Sequence, residues 1–171
     1  MTIEGTTPLI ALDAMVIDTE TTSLDPRKAR IVEIALVRLR GGRLELGSNY
    51  QRRIRPDISI PRQATRIHGI DDSAVREAPR FAEVWPELAA KLSGAVVLGH
   101  SIGFDLAVLE RECVRAGAVW QRPRTLDTRL LAEVAETELA GYSLGNLTAW
   151  LGVESVGAGL IFMAVDYLPP L

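Results

Sequence analysis

The pair Gly41-Gly42 most constrains how this chain can fold. Residues 30–40, which precede it, are rich in β-branched side chains and partly alternate between apolar and polar. Two adjacent glycines accept the positive φ angles of a tight hairpin turn, so residues 43–55 are expected to return as an antiparallel strand. Residues 14–18 read as an earlier, buried strand. Pro56 and Pro61 bracket a loop. Phe81 to Leu92 then places Phe81, Val84, Trp85, Leu88 and Leu92 at helical spacing, with Asp71–Arg80 as its lead-in. Ala95–Leu98 forms a short buried strand ended by Gly99-His100. Phe104–Arg115 reads as a helix stopped near Gly117, and Thr125-Leu126-Asp127 as the last strand. Helices follow near 128–137 and 143–151. Three early strands followed by strand–helix–strand crossovers imply an α/β fold, a mixed sheet with helices packed on it. Residues 1–171 are expected to form a single domain, with no repeat or linker.

A chain of 171 residues with 47% hydrophobic content can bury a substantial core, which argues against disorder. Cys113 is the single cysteine, which excludes an intrachain disulfide and a cysteine-based zinc site. That cysteine usage fits a reducing, cytoplasmic setting. Residues 1–12 lack a signal-peptide pattern, and no apolar run approaches membrane-spanning length, so no membrane association is expected. The net charge of −3 excludes polyanion binding through bulk charge. Arginines are concentrated between Arg38 and Arg66, including Arg52, Arg53, Arg55, Arg62 and Arg66. They suit either a phosphate-facing edge or a solvated strand face.

The first strand ends in Val16-Ile17-Asp18-Thr19-Glu20-Thr21-Thr22. Side chains two apart on a strand share a face, so Asp18 and Glu20 would point the same way. Two carboxylates held close repel one another unless a cation lies between them. Hard divalent ions such as Mg²⁺ or Mn²⁺, which prefer oxygen ligands, suit that position. A second constellation lies where a later strand meets a helix: Gly99-His100-Ser101-Ile102-Gly103-Phe104-Asp105, with Leu109 one turn on. Ligands gather at strand carboxyl ends in such sheets, and Asp105 could supply a third carboxylate. Alone, Asp105 would read as a favourable charge at a helix N-terminus.

Together these segments resemble the DEDD superfamily of 3′→5′ exonucleases, in the branch around the DNA polymerase III epsilon subunit and RNase T. Weaker echoes are Ile67-His68-Gly69-Ile70, Leu126-Asp127-Thr128 and Tyr142-Ser143-Leu144-Gly145-Asn146-Leu147, so the likeness runs from about residue 14 to 153. It implies an RNase H-like fold with a five-stranded sheet of order 3-2-1-4-5 and strand 2 antiparallel. It further implies a catalytic set of Asp18, Glu20 and Asp105 holding two divalent cations, Mg²⁺ or Mn²⁺, about 4 Å apart. Thr19, Thr21, Thr22, His68, His100 and Phe104 would contact nucleic acid, with His68 in a loop near the substrate. The implied substrate is the 3′ end of single-stranded DNA or RNA, and a polymerase or other protein is an implied partner.

The family's third motif, H-x-A-x-x-D, supplies a general-base His and a further metal-binding Asp. Residues 154–171 contain no His, and His68 and His100 are the only two in the chain. Either Asp166 takes the place of the motif Asp, with Ile161 at the His position, or the motif is absent and Ile161–Ala164 matches the apolar end of the family's last helix. The short remainder and Pro169-Pro170 favour absence, so the region after about residue 153 is expected to be truncated or degenerate. In the first case Asp166 is a candidate metal ligand; in the second it is an ordinary polar residue. Loss of a general base commonly lowers rate by about 10²–10⁴. The chain is expected to be a weakened exonuclease, with a catalytically degenerate nucleic-acid- or partner-binding module as the alternative.

Overall fold

A computed structural model of the chain describes residues 8–152. Ile161–Ala164 and Asp166, the two alternatives for the third motif, lie outside the described residues. Three long strands open the fold: β1 (Asp13–Thr21), β2 (Ile31–Arg40) and β3 (Arg43–Arg53). Gly41 and Gly42 have φ of 57° and 72°, the double positive-φ turn that the glycine pair allows. α1 (Arg62–His68) and α2 (Phe81–Leu92) follow, then β4 (Val96–Gly99), α3 (Gly103–Ala116), β5 (Arg124–Asp127), α4 (Thr128–Ala135) and α5 (Leu144–Leu151). The sheet order is β3-β2-β1-β4-β5. β2 runs antiparallel to both β1 and β3, whereas β4 is parallel to β1 and β5. The expected order and the antiparallel second strand are both present.

Every residue of β1 from Ala14 to Ile17 is buried, so this central strand is covered on both faces. On one face Met15 and Ile17 join Ile34 and Leu36 of β2 in a core with α2 and α3. α2 delivers Phe81, Val84, Trp85, Leu88 and Leu92 to that core, the stripe its spacing predicts. Burying each such side chain stabilises the fold by about 1.5–3 kcal/mol. A smaller core of Val32, Ile60, Ala64, Ile70 and Val75 lies beneath α1. α1 corrects the expectation that His68 sits in a loop, since His68 closes this helix. The helix is only seven residues long and starts directly after Pro61, too short for periodicity to reveal.

Two features bring α3 to the end of β1. A Cβ on Gly99 would stand 2.6 Å from Ile102 Cδ1 and 3.2 Å from the Ile17 carbonyl oxygen, so any larger residue here would push Ile102 and the end of β1 aside. The turn continues through Ser101, whose φ of 55° is unusual for a residue with a side chain. The Asp127 carboxylate accepts from Ser101 N at 2.9 Å and from Arg129 N at 2.9 Å, pinning that turn to the start of α4. Deeper along α3, buried Glu112 accepts from Arg30 Nε at 2.8 Å and Ile31 N at 3.3 Å, fastening the helix to the start of β2.

Candidate active site

Alternation along β1 sorts the first motif onto two sides. Ile17 and Thr19 point toward α3, and Asp18 and Glu20 toward the opposite face. Asp105 lies in the first turn of α3 and is only 7% exposed. Its Oδ1 accepts a 2.6 Å hydrogen bond from Thr19 Oγ1. Asp105 therefore reaches the motif from the helix side of β1. This qualifies the expected convergence of three carboxylates on one point. Among the described residues, no three His, Cys, Asp or Glu side chains are gathered in metal-holding geometry. Asp105 is engaged with Thr19, and like charges oppose closer approach.

The three groups nevertheless share an electrostatic neighbourhood. Burial pushes the Glu20 carboxyl up to about 7, and the charges of Asp18, Glu33 and Asp105 add to the effect. Burial likewise carries Asp105 to about 7; the Thr19 hydroxyl opposes this and the Asp18 charge reinforces it. Asp18 is raised by burial, against a hydrogen bond from the Thr19 backbone and with a contribution from Glu33. Carboxyl groups whose negative form is disfavoured by burial and mutual repulsion are the environment a cation relieves. Hard, partly buried and acidic, the donor set fits Mg²⁺ or Mn²⁺ in kind and charge.

Glu33 was not foreseen. It stands directly across from Glu20 in the β1–β2 ladder. Sequence offered only a Glu within an apolar run; its neighbour depends on strand register.

Beside Glu20 opens a cleft of about 580 Å³ whose wall includes Thr19, Thr21, Thr22, His68 and Phe104. Those are five of the six residues expected to contact nucleic acid. His100 stands outside this wall, with Nδ1 3.1 Å from Thr128 Oγ1. The cleft gains apolar surface from Leu24, Ile58 and Ile67, all exposed, and a cation from Lys28. Leu24, Ile58 and Lys28 were not legible as site residues, because each stands in an otherwise ordinary loop; Ile67 lies in the Ile67-His68-Gly69-Ile70 segment, where His68 alone stood out. Leu24 is held outward by an ordered turn: Thr22 N donates to the Arg30 carbonyl, and Thr22 Oγ1 accepts from Arg30 N, both at 3.0 Å. Asp25 accepts from Arg27 N, Nε and Nη2, and this pairing holds its carboxyl down at about 2.

The arginine-rich stretch divides among separate local environments. Arg53 pairs with Glu33 at 3.4 Å, Arg52 lies over the Tyr50 ring, and Arg62 and Arg66 are exposed on α1.

His68 carries a restriction of its own. Its Nδ1 accepts from Ile70 N at 3.1 Å, so the proton of the neutral ring belongs on Nε2. Nε2 is buried without a well-formed hydrogen bond, although the Thr21 backbone lies near enough to favour the protonated ring. Burial is the larger influence and lowers the His68 pKa. A neutral His68 thus has no free lone pair facing the cleft.

Known proteins share both the sequence and the architecture. A protein of Rhodobacter capsulatus, the DNA polymerase III subunit epsilon-like protein, is 39% identical over 148 residues, covering 86% of this chain and 21% of that protein. The 3′-5′ exonuclease DinG of Bacillus subtilis is 32% identical over 162 residues, covering 88% of this chain and 17% of DinG. The chain thus spans only about a fifth of these relatives' length. Among solved structures, Exonuclease X in complex with 5′ overhanging duplex DNA superposes with a TM-score of 0.68 at 25% identity, over 89% of this chain and 82% of that one. E. coli Exonuclease I in complex with a dA16 oligonucleotide gives 0.76 at 20% identity, over 91% and 38%, which bears on fold alone. The RNase T exonuclease family model matches residues 15–158. With Asp18 and Glu20 at the end of β1 and Asp105 in the first turn of α3, the chain belongs to the RNase T exonuclease family, within the DEDD 3′→5′ exonucleases.

Proposed function

We propose that this chain is a metal-dependent exonuclease domain that removes nucleotides from the 3′ ends of single-stranded nucleic acid, with turnover limited by the lack of an imidazole base. The observation that carries this is a cleft lined by Glu20 of the first motif together with Phe104, Leu24 and Ile67. Phe104, Leu24 and Ile67 offer faces that a terminal base of any identity can stack or pack against. Lys28 supplies a positive charge for a phosphate on the same wall. Asp18, Glu20 and Asp105 would hold the divalent cations, which when bound lower the pKa of a water and neutralise charge on the scissile phosphate. Thr19 orients Asp105 through its hydroxyl. Glu20 and Asp105 retain protons near neutral pH until a cation draws them off.

A second reading, a binding module that holds 3′ ends without cleaving them, draws on the two histidines. His68 has its Nδ1 lone pair committed to Ile70 N, and His100 packs by Thr128. No His stands in residues 154–171 either. The family match over residues 15–158 supports treating the chain as one domain. The polymerase III names among its relatives support a replication protein as partner.

Digestion of a 5′-labelled single-stranded oligonucleotide with Mn²⁺ tests the assignment. Progressive shortening from the 3′ end, lost in Asp18→Asn, is expected. Tight binding of the oligonucleotide with no shortening over hours, at any pH, would select the binding module.

A further inference from the structure

We propose that Glu33 is a positioning residue of the metal site, a fourth carboxylate that β2 presents beside Glu20 and that Gln51 and Arg53 hold in orientation. This rests on the exonuclease reading of the Asp18–Glu20 pair and extends it to a residue outside the family's D-x-E and Asp105 motifs. Three strands supply the geometry. Glu20 of β1 pairs with Glu33 of β2, and Glu33 pairs with Arg53 of β3. Residues directly opposite in an antiparallel ladder share a face, with Cβ atoms about 4.5–5.5 Å apart. The row Glu20–Glu33–Arg53 therefore lies on the face that also carries Asp18, away from α2 and α3. Gln51, paired with Ala35 on the same side, donates from Nε2 to Glu33 Oε2 at 3.0 Å, and Arg53 Nε donates to Oε1 at 3.4 Å. Both carboxylate oxygens are thus engaged from the β3 side. The Glu33 side chain is 15% exposed, its Arg53 partner 53%. A half-solvated guanidinium offsets the Glu33 charge only in part.

The pairing is also marked by an irregularity. Between Glu20 and Thr21 the ladder skips Val32, so the next partner of β1 is Ile31. Such bulges re-aim side chains at strand ends. Ile31 N is held by Glu112 and the Val32 carbonyl by Ile54 N at 2.9 Å, so the irregularity is itself secured. Like charges directly opposite on a sheet are unfavourable for the fold. Their value is to a cation: a third negative charge beside Asp18 and Glu20 deepens the potential there without spending a coordination position.

Mn²⁺ affinity of the full chain, measured by calorimetry and by electron paramagnetic resonance of the free ion, tests this together with melting temperature. Glu33→Gln is expected to weaken Mn²⁺ binding about three- to tenfold, a range consistent with charges several ångströms apart at a protein surface. Its melting temperature should stay level or rise, since a repulsion is removed. Glu33→Asp should recover most of the affinity. Glu45→Gln, at the far end of β3, removes the same charge and should leave affinity unchanged. The inference is overturned if Glu33→Gln binds Mn²⁺ like the unaltered chain, if Glu45→Gln weakens binding equally, or if weaker binding comes only with a large drop in melting temperature. Asp18→Asn separates the two levels. If it abolishes binding while Glu33→Gln does nothing, the Glu33 role alone fails; if it too leaves binding unchanged, the metal site fails and takes the Glu33 role with it.

Discussion

Replacing Asp105 with Asn should make the metal-free protein more stable, and only at pH values where Asp105 would be charged. The folded carboxyl titrates near 7, against an ordinary 3.8, because it is buried and faces Asp18, while the Thr19 hydroxyl only partly compensates. A folded pKa above the unfolded one means that the folded state binds the proton more tightly. Folding therefore carries no penalty below about pH 4, loses stability as pH rises from 4 to 7, and bears the full penalty above 7. The interval from 3.8 to about 7 corresponds to about 4 kcal/mol. Relaxation of the surroundings around the charge reduces this to roughly 2–4 kcal/mol. Asn keeps an oxygen that can accept from Thr19 Oγ1 and carries no charge. Asp105→Asn should thus melt about 5–15 °C higher than the unaltered protein at pH 8 in chelator, using about 2–4 °C per kcal/mol for a domain of this size. At pH 4.5 the gain should fall to about 1 kcal/mol or less. Calorimetric melts of both proteins at the two pH values provide the measurement. A variant that melts lower at both pH values, or that shifts equally at both, would refute the electrostatic account and make Asp105 an ordinary helix N-terminal residue.

Thr19→Val keeps the shape of the side chain but removes the donor to Asp105, and at pH 8 it should cost about 1.5–3 kcal/mol in urea unfolding, as expected for a hydrogen bond to a charged group. Glu112→Leu leaves Arg30 Nε and Ile31 N without their buried acceptor and should cost about 3–5 kcal/mol, read as a lower denaturant midpoint at constant slope. Exonuclease rate in saturating Mn²⁺ should keep climbing above pH 7, because the Nδ1 lone pair of His68 is taken by Ile70 N and His100 stands outside the cleft wall, so hydroxide must supply the deprotonated nucleophile. A rate that levels off with an inflection between pH 6 and 7 would identify a working imidazole and contradict that assignment.

Much of the fold was legible because its signals are local. The glycine pair, the apolar stripe of α2 and the turn at Gly99 each announce themselves within a few residues. Asp18 and Glu20 were legible for the same reason: a period of two puts them on one face whatever else the chain does. Glu33 was not, since its place beside Glu20 depends on the β1–β2 register and on the skipped Val32, neither of which is written within β2 alone. α1 was hidden by its length and by the proline before it. The state of His68 depends on a hydrogen bond from Ile70 N, two residues on, which a motif match does not disclose.

The two sides of β1 impose a competition that the motif alone does not suggest. Thr19 sits between Asp18 and Glu20 in sequence and points to the other side of the sheet, where it takes up Asp105 at 2.6 Å. The hydrogen bond favours the charged form of Asp105, while burial and Asp18 disfavour it. A cation drawn to Asp18 and Glu20 would change the sign of the Asp18 influence, turning a repulsion on Asp105 into an attraction across the strand end. The Thr19 bond would then help a charged Asp105 that no longer needed a proton. Without a cation the charged forms of Asp18, Glu20 and Asp105 are disfavoured first by burial and then by their mutual repulsion. A divalent ion held there would offset both effects, so a gain in stability on adding Mn²⁺ and the gain from Asp105→Asn would share one physical origin.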